Sequence, residues 1–348
     1  MDAGHGGRHR VETVDFARGI AAAGVMSYHL LYYEQVADLV RISYYFVYAF
    51  FVISGFALYI RYRDDLRSIE DLRRYAVSRF RRIAPLFWFA IALYLVLVDF
   101  PDDPWVSLPL NISLAFGFAN PGTSSLLLGG WSIGIEMVFY AVTPVVIIFC
   151  RGSLARVAAV ALASTILMIL FINHQLADAD AMTTDLWAAY SQPMSFFGYF
   201  AAGCFIGEVY LQKHKILKGH LAAAALLALA LAVFFAVPVE SAPQMLRSWS
   251  GIALMLATVS AVAAIAFLPE PTGASLKAAW WFGQLSYSIY LFHPIVYVGL
   301  AQPNFSGSSA RIMFSVFMTI ALAVAAHYLI EKRFRSRSVP PPAGAAAA

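Results

Sequence analysis

Arginine and histidine occur together in the first long apolar segment of the chain, residues 14–33, where a helix facing lipid would carry neither. These residue types bind anions and exchange protons near neutral pH. Arg18 and His29 are eleven positions apart. At about 100° per residue this returns both side chains to nearly the same helix face, roughly 16 Å apart along the axis. Asp15 lies on the same stripe. Because an ionisable residue inside a membrane costs about 2.5–3.5 kcal/mol on insertion scales, the stripe predicts a polar route through the protein interior.

A third ionisable residue, Glu136, lies in another apolar segment, residues 131–150. Trp131 suits the aromatic belt at the outer membrane surface, which places Glu136 roughly 7–8 Å deeper in the membrane. His29 lies near the outer end of its own segment, so the imidazole and the carboxylate have similar predicted depths. A carboxylate there either belongs to a functional site or pairs with an arginine to hold helices together, and the sequence leaves both open.

A dense group of basic residues precedes the third apolar segment. Its members are Arg73, Arg74, Arg79, Arg81 and Arg82. Arginines beside a membrane span orient the protein and attract anionic lipid headgroups. Arg79 and Arg82, however, have an i, i+3 spacing that puts both guanidinium groups on one helix face, which suits bidentate binding of phosphate. Orientation and phosphate binding are therefore two open interpretations.

Polar residues also occur in two further apolar segments. Ser286, Tyr290 and His293 share one helix face at i, i+4 and i+7. A histidine bonded to a tyrosine in the protein interior explains this face without a site, and substrate contact is the alternative. Ser54 can hydrogen-bond across a pair of helices, and the adjacent Gly55 allows a close helix crossing.

The composition decides which elements must position these residues. Of 348 residues, 61% are hydrophobic and only 13% are charged, which excludes an ordinary soluble domain. Continuous apolar runs of about 18–21 residues match membrane-crossing helices and not barrel strands. The expected fold is an all-α integral membrane protein. The net charge of +4 gives no reason to expect a nucleic-acid partner. The two cysteines, Cys150 and Cys204, both lie in apolar segments and predict neither a disulfide nor a metal site.

A bundle of about ten transmembrane helices is predicted, at residues 14–33, 44–62, 83–100, 131–150, 154–173, 193–211, 219–238, 249–268, 280–300 and 311–330. With both termini in the cytoplasm, the outer loops hold only three basic residues, Arg41, Arg247 and Arg311, and the others lie inside. One transmembrane domain, residues 13–332, is expected between a cytoplasmic N-terminal tail, residues 1–12, and a C-terminal tail. That tail, residues 333–348, is basic and then rich in proline and alanine, and we expect it to be disordered.

Five blocks of sequence follow one another in a recognisable order: DFARGIA at 15–21 with His29, FFVISGF at 50–56, RFRRIAP at 79–85, WSI at 131–133 with Glu136, and LSYSIYLFHP at 285–294. In these blocks the chain resembles the acyltransferase-3 family of integral membrane O-acyltransferases, over residues 12 to about 330. The resemblance implies transfer of an acyl group, often acetyl, from cytoplasmic acyl-CoA to a hydroxyl of a glycan, glycolipid or small glycosylated product. It also implies a multi-pass protein of the cytoplasmic (inner) membrane, in contact with membrane lipids.

The resemblance also implies roles for individual residues. Arg18 and His29 match the family's signature pair, and Arg79 with Arg82 match a second one. His29 is then the expected general base on the acceptor hydroxyl, and Glu136 would orient it or stabilise its charge. The three arginines would hold the phosphates of CoA. Weaker candidates for substrate contacts are Ser54, Trp131, Ser132, Tyr290 and His293. Direct transfer and a covalent acyl-histidine relay both remain open.

Two other classes of protein would use the same residues differently. A transporter or lipid flippase would line a permeation path with arginine, histidine and glutamate. A membrane scaffold would use them to pair helices. Neither alternative predicts that the protein releases CoA from acyl-CoA.

Overall fold

The computed structural model describes residues 11–176, 183–217, 219–239 and 243–336. The predicted tails, residues 1–12 and 333–348, lie almost entirely outside these ranges. Within them every regular element is a helix, which confirms the all-α class. Ten helices are long: α1 (Glu12–Tyr33), α2 (Val40–Tyr62), α3 (Ile69–Leu97), α4 (Trp131–Cys150), α5 (Leu154–Gln175), α6 (Phe197–Leu217), α7 (His220–Ala236), α8 (Ser248–Phe267), α9 (Gly273–Val296) and α10 (Ser308–Ala326).

Seven helical stretches of the described chain are long and apolar enough to cross a membrane. They are Val40–Tyr62, Ile69–Leu97, Trp131–Cys150, Leu154–Gln175, Pro193–Lys213, Ser248–Phe267 and Ser308–Phe334. Helices α1 and α9 are not among them, and these two helices carry Arg18, His29 and His293. Helix α7 is a shorter apolar helix. The count of ten spans and the cytoplasmic location of the termini therefore stay predictions.

Helices α1 and α9 pack side by side because two glycines let their backbones approach closely. A Cβ atom added at Gly19 would lie 2.6 Å from the Cβ of Phe282, and one added at Gly283 would lie 2.8 Å from the Cβ of Asp15. Small residues at such contacts are the usual basis of tight packing between membrane helices. This contact brings the polar stripe of α1 against the polar face of α9.

Helices α2 and α6 cross equally closely. A Cβ atom at Gly55 would collide with the backbone carbonyl of Phe200, and one at Gly203 would collide with that of Val52. The close crossing predicted at Gly55 is confirmed. It holds α2, and with it Ser54, at a fixed position beside the functional groups of α1 and α9.

The third helix is longer than its predicted span. The sequence predicts a loop for the basic residues before position 83, whereas α3 begins at Ile69 and carries all five arginines in its first half. The Ser68 side chain accepts a hydrogen bond from the backbone of Asp71, and the Asp71 side chain accepts one from the backbone of Ser68. This capping box starts the helix at the boundary where the polar sequence begins. The arginines therefore have a rigid backbone.

The segment between α3 and α4 is folded and packs against α4. It contains the short helices Pro104–Ile112 and Pro121–Ser124 and a 3₁₀ turn at Ala115–Phe118. The buried Asn111 side chain donates to the carbonyl of Ser124 and accepts from the backbone N–H of Leu126, which ties the segment together. These contacts fix the start of α4, where Trp131 and Ser132 lie.

Helices α9 and α10 both continue into a π-helical turn, at Tyr297–Ala301 and His327–Glu331. Such turns are rare and widen a helix locally. Glu331, on the second turn, is buried and accepts a hydrogen bond from Ser288 of α9. This bond ties the end of α10 to α9 next to the site described below.

Candidate functional site

A cavity of about 340 Å³ lies between α1, α2, α3, α4 and α9. Seven of the ten residues predicted for the site line it: Arg18, Ser54, Arg79, Arg82, Ser132, Glu136 and Tyr290. The other three, His29, Trp131 and His293, do not line it. Five separate helices thus bring together residues that are up to 272 positions apart in the chain, from Arg18 to Tyr290.

Positive charge predominates in the cavity wall. The wall contains four arginines, Arg18, Arg61, Arg79 and Arg82, and two carboxylates, Asp15 and Glu136. Arg61 is paired with Asp65, so even with both lining carboxylates ionised the three other guanidinium groups exceed them by one. Like charges held this close favour an anionic ligand that can share their hydrogen bonds. The charge balance therefore points to a polyanion such as a group of phosphates.

Arg18 is held by the neighbouring helix α9. Its Nε donates to the hydroxyl of Ser286 at 3.0 Å, and its Nη2 donates to the carbonyl of Gly283 at 2.9 Å. Asp15, the carboxylate on the same stripe, lies 3.9 Å from the guanidinium. The side chain is thereby fixed at the cavity wall by hydrogen bonds to two neutral groups, with one carboxylate at the outer limit of ion-pair distance.

Arg79 is oriented by aromatic rings. Its guanidinium carbon lies 5.2 Å from the ring centre of Tyr62 and 5.8 Å from that of Tyr140. Both distances fall within the range of cation–π attraction. The two tyrosines were not predicted from the sequence. The sequence does contain an indication for Tyr140, because this residue lies four positions after Glu136 on the same helix face.

Glu136 lies in the middle of the cavity wall, and its carboxylate has two donors. The hydroxyl of Tyr140 donates to its Oε1 at 2.6 Å, and that of Ser54 donates to the same oxygen at 3.3 Å. The resemblance implies that this carboxylate orients His29 or stabilises its charge. In the structure, the hydrogen bond of His29 goes instead to His293. Glu136 is thus part of the hydroxyl network between α2 and α4.

Hydroxyl groups also meet at the end of the cavity farthest from the arginines. The hydroxyls of Ser132 and Tyr290 lie 2.8 Å apart, and that of Tyr290 donates to the carbonyl of Gly129 at 3.0 Å. Gly129 has φ +75°, a left-handed conformation that glycine adopts without strain. Tyr290 lines the cavity, and its ring centre lies 6.1 Å from that of His293.

His29 and His293 form a pair immediately beyond Tyr290. Nδ1 of His29 lies 2.9 Å from Nε2 of His293, and the two rings are nearly coplanar and meet edge to edge, with centres 5.1 Å apart and planes at 20°. His293 is only 1% exposed, and its Nδ1 lies 3.0 Å from the carbonyl oxygen of Ile289. The rings of Tyr28 and Tyr33 flank His29. The predicted shared face of Arg18 and His29 is confirmed, since both side chains contact α9.

Trp131 lies in a different environment. Its indole is buried and contacts the rings of Trp187, Tyr190 and Phe196, with ring centres 5.3, 5.8 and 5.6 Å apart. It therefore supports the start of α4 and lies beside, not in, the cavity wall. Its predicted contact with substrate stays a prediction.

Among the residues that the structure describes, no three histidine, cysteine, aspartate or glutamate side chains are grouped so that they could hold a metal ion. Both cysteines are buried and form no disulfide. The arrangement brings together a group of arginines, a set of hydroxyl groups and, next to Tyr290, a pair of histidines.

Comparison with known proteins gives two kinds of match. The sequence model of a family described as an acyltransferase domain matches residues 11–328. The exopolysaccharide production protein ExoZ of Rhizobium meliloti (strain 1021) is 26% identical over 308 residues, which cover 83% of this chain and 90% of that protein. The putative peptidoglycan O-acetyltransferase YrhL of Bacillus subtilis (strain 168) is 26% identical over 375 residues, covering 94% of this chain but only 56% of that protein. No solved structure matches the chain.

Proposed function

Because the chain belongs to the acyltransferase-3 family, we propose that it is a multi-pass O-acyltransferase of the cytoplasmic membrane. In this proposal it transfers an acyl group, acetyl in the first instance, from acyl-CoA to a hydroxyl of a polysaccharide or glycolipid. Membership of the family supports acyl transfer itself. The donor, the acceptor and the membrane are part of the proposal.

The excess of arginine in the cavity is the observation that carries the choice of donor. CoA bears several phosphate groups, and arginine binds phosphate through two parallel hydrogen bonds. Arg18, Arg79 and Arg82 lie on two helices and face the same space. Phosphates bound there would leave the pantetheine arm to extend along the cavity, past Glu136, towards Tyr290. The thioester would then approach the histidine pair.

The choice of acceptor is supported by the relatives and by the surface around His29. One relative is named for exopolysaccharide production and the other for O-acetylation of peptidoglycan. Next to His29, the rings of Tyr32 and Tyr33 are 50% and 37% exposed. Tyrosine offers an apolar ring face together with a polar hydroxyl, and this combination suits the mixed apolar and polar surface of a sugar ring.

The reaction requires a base at the acceptor hydroxyl. In the proposed mechanism, His29 removes the hydroxyl proton while the oxygen attacks the thioester carbonyl carbon. A carbon–oxygen bond forms and the carbon–sulfur bond breaks. The sulfur then takes the proton from His29 and CoA leaves as the free thiol. His29 returns to its starting state.

Release of CoA tests the proposal. We would reconstitute the purified protein in lipid vesicles and add acetyl-CoA labelled in the acetyl group. An oligosaccharide fraction, extracted from the cell membranes in which the protein occurs, would be added as the acceptor. Free thiol and label in the oligosaccharide should rise together. Matched control preparations would carry Arg79→Ala. Intact acetyl-CoA after prolonged incubation with the wild-type protein, or its movement into the vesicles without cleavage, would contradict acyl transfer and favour a transporter.

A further inference from the structure

We propose that His293 is a positioning residue, which fixes a proton on Nδ1 of His29 and thereby leaves Nε2 of His29 as the nitrogen that accepts the proton of the acceptor. This inference rests on the proposed function for the reaction, but the position of the proton follows from the hydrogen bonds alone. Three steps lead to it.

The first step concerns His293 itself. Its Nδ1 lies 3.0 Å from the carbonyl oxygen of Ile289, one turn earlier on α9. A carbonyl oxygen only accepts hydrogen bonds, so Nδ1 must carry a proton. The side chain is 1% exposed, and a buried charge without an anionic partner is costly, so the ring is neutral and has a single proton. Nε2 of His293 is therefore an acceptor.

The second step transfers this constraint to His29. Nε2 of His293 lies 2.9 Å from Nδ1 of His29. Since Nε2 of His293 accepts, Nδ1 of His29 must donate and so carries the proton of that ring. Nε2 of His29 then has a free lone pair. Without His293, no hydrogen bond in this series would favour the tautomer of His29 that is protonated on Nδ1.

The third step concerns the lone pair on Nε2 of His29 and the orientation of its ring. The His29 ring is bonded at its edge to His293, and the ring of Tyr33 lies nearly parallel to it, with centres 5.8 Å apart and planes at 18°. Nε2 of His29 makes no hydrogen bond to any residue in the described part of the chain. The ring is thus oriented by the bond to His293 and by the contact with Tyr33, and its basic nitrogen is available to a hydroxyl group. A general base needs this combination of free lone pair and fixed orientation.

The pairing also suits the charged state that forms during transfer. When Nε2 of His29 takes the acceptor proton, the ring becomes an imidazolium, and its Nδ1–H bond to the neutral His293 becomes charge-assisted and stronger. The proton then passes from Nε2 to the sulfur of the leaving CoA. His293 exchanges no proton at any stage and touches neither substrate.

The position of the proton can be measured without any reaction. We would label the histidine rings with ¹⁵N, purify the full chain, and record NMR spectra at a pH at which the imidazoles are neutral. The signals of His29 would be assigned by their loss in His29→Gln. The expected result is a His29 ring protonated on Nδ1. Protonation on Nε2 would overturn the proposal.

Two substitutions then test the consequence for catalysis. In His293→Gln the amide oxygen can take the place of Nε2 and accept from His29, whereas His293→Leu fills the space without an acceptor. We expect kcat to fall by about 10²- to 10⁴-fold in the leucine variant, the range found when a catalytic histidine loses its orienting partner, and by about tenfold or less in the glutamine variant. KM for acyl-CoA should stay unchanged in both.

The outcomes separate this inference from the proposed function. Equal losses in the two variants would assign His293 to packing and overturn the positioning role, as would normal turnover in His293→Leu. A wild-type protein that is protonated on Nδ1 of His29 but never cleaves acetyl-CoA would contradict the proposed function and still support the position of the proton.

Discussion

The guanidinium group of Arg79 lies over two tyrosine rings, a contact that holds a cation in place without neutralising it. A carboxylate partner would have fixed the side chain equally well but would have cancelled the charge needed by an anionic ligand. Arg18 is likewise held mainly by a hydroxyl and a carbonyl. At the scale of single residues, the site keeps its arginines both ordered and positively charged.

The substitutions Arg79→Ala and Arg82→Ala should each weaken use of the donor. Loss of a charge-assisted contact with phosphate is worth roughly 1.5–3 kcal/mol, so KM for acyl-CoA should rise about 10- to 100-fold. The control is Arg74→Ala, because Arg74 lies on the same helix and is 60% exposed, outside the cavity. Equal KM values in all three variants would show that Arg79 and Arg82 serve orientation or folding only.

Replacement of His29 by alanine should reduce turnover by about 10²- to 10⁴-fold, the usual effect of losing general acid–base catalysis. The variant should still insert and bind CoA, since alanine removes a polar group from a membrane helix. Turnover and CoA binding would be measured in the same preparations. His174→Ala, at an exposed position at the end of α5, is the matched control. Near-normal turnover in His29→Ala would exclude His29 as the base.

Sequence alone identified the charged residues of the site but not their partners. Arg18, His29 and Glu136 stand out because ionisable residues are rare in apolar segments. Tyr62 does not stand out, since 15% of the chain is aromatic, and Tyr140 is marked only by its spacing from Glu136. The bond between His29 and His293 joins residues 264 positions apart, and no local pattern reports such a contact. For the same reason the sequence did not show that the carboxylate of Glu136 bonds to hydroxyl groups and not to His29.

At the scale of elements, glycines at two helix contacts decide how the site is assembled. Gly55 and Gly203 let α2 and α6 meet backbone to backbone. The sequence predicted the contact at Gly55, because a glycine beside a serine in an apolar helix is typical of a close helix crossing. It did not predict the start of α3, although the pair Ser68 and Asp71 carries the pattern of a capping box. The π-helical turns of α9 and α10 have no comparable sequence signal.

Gly203→Ala should destabilise the protein, because its Cβ would collide with the carbonyl of Val52, a backbone group that cannot rotate away. Overpacking typically costs about 1–3 kcal/mol, and a collision with backbone belongs at the upper end. The thermal unfolding midpoint in detergent should therefore fall. Gly307→Ala is the control, since nothing lies within 4 Å of a Cβ there. An unchanged midpoint in Gly203→Ala would mean that the two helices do not meet as described.

At the scale of the whole molecule, apolar composition and the order of the five sequence blocks were sufficient to predict an all-α membrane protein of the acyltransferase-3 family, and both conclusions are confirmed. Composition and the sequence blocks did not settle the number of membrane spans. Helices α1 and α9 carry Arg18, His29 and His293, and such polar groups lower the hydropathy by which a span is recognised. The polar residues that point to the site thus make the number of membrane spans harder to count from hydropathy.

Orientation in the membrane can be tested with single cysteines. Ile69→Cys and Thr123→Cys place thiols at exposed positions, one at the start of α3 and the other in the segment before α4. If the basic residues before position 83 face the cytoplasm, an impermeant thiol reagent added to intact cells should label Thr123→Cys and not Ile69→Cys. The native cysteines are buried and give a low background. Equal labelling of both variants would contradict the predicted topology.

The rigid helix α1 sets the distance between Arg18 and the pair formed by His29 and His293. Arg18 and His29 are separated by eleven residues of continuous helix, or roughly 16 Å of rise. Such a helix keeps the distance between the two side chains constant. A donor anchored by its phosphates would present its thioester at the same depth whatever acyl chain it carried. Discrimination between short and long acyl chains would therefore depend on the space around His29 and Tyr290, and variants that enlarge this space would broaden the range of donors without changing how CoA is held.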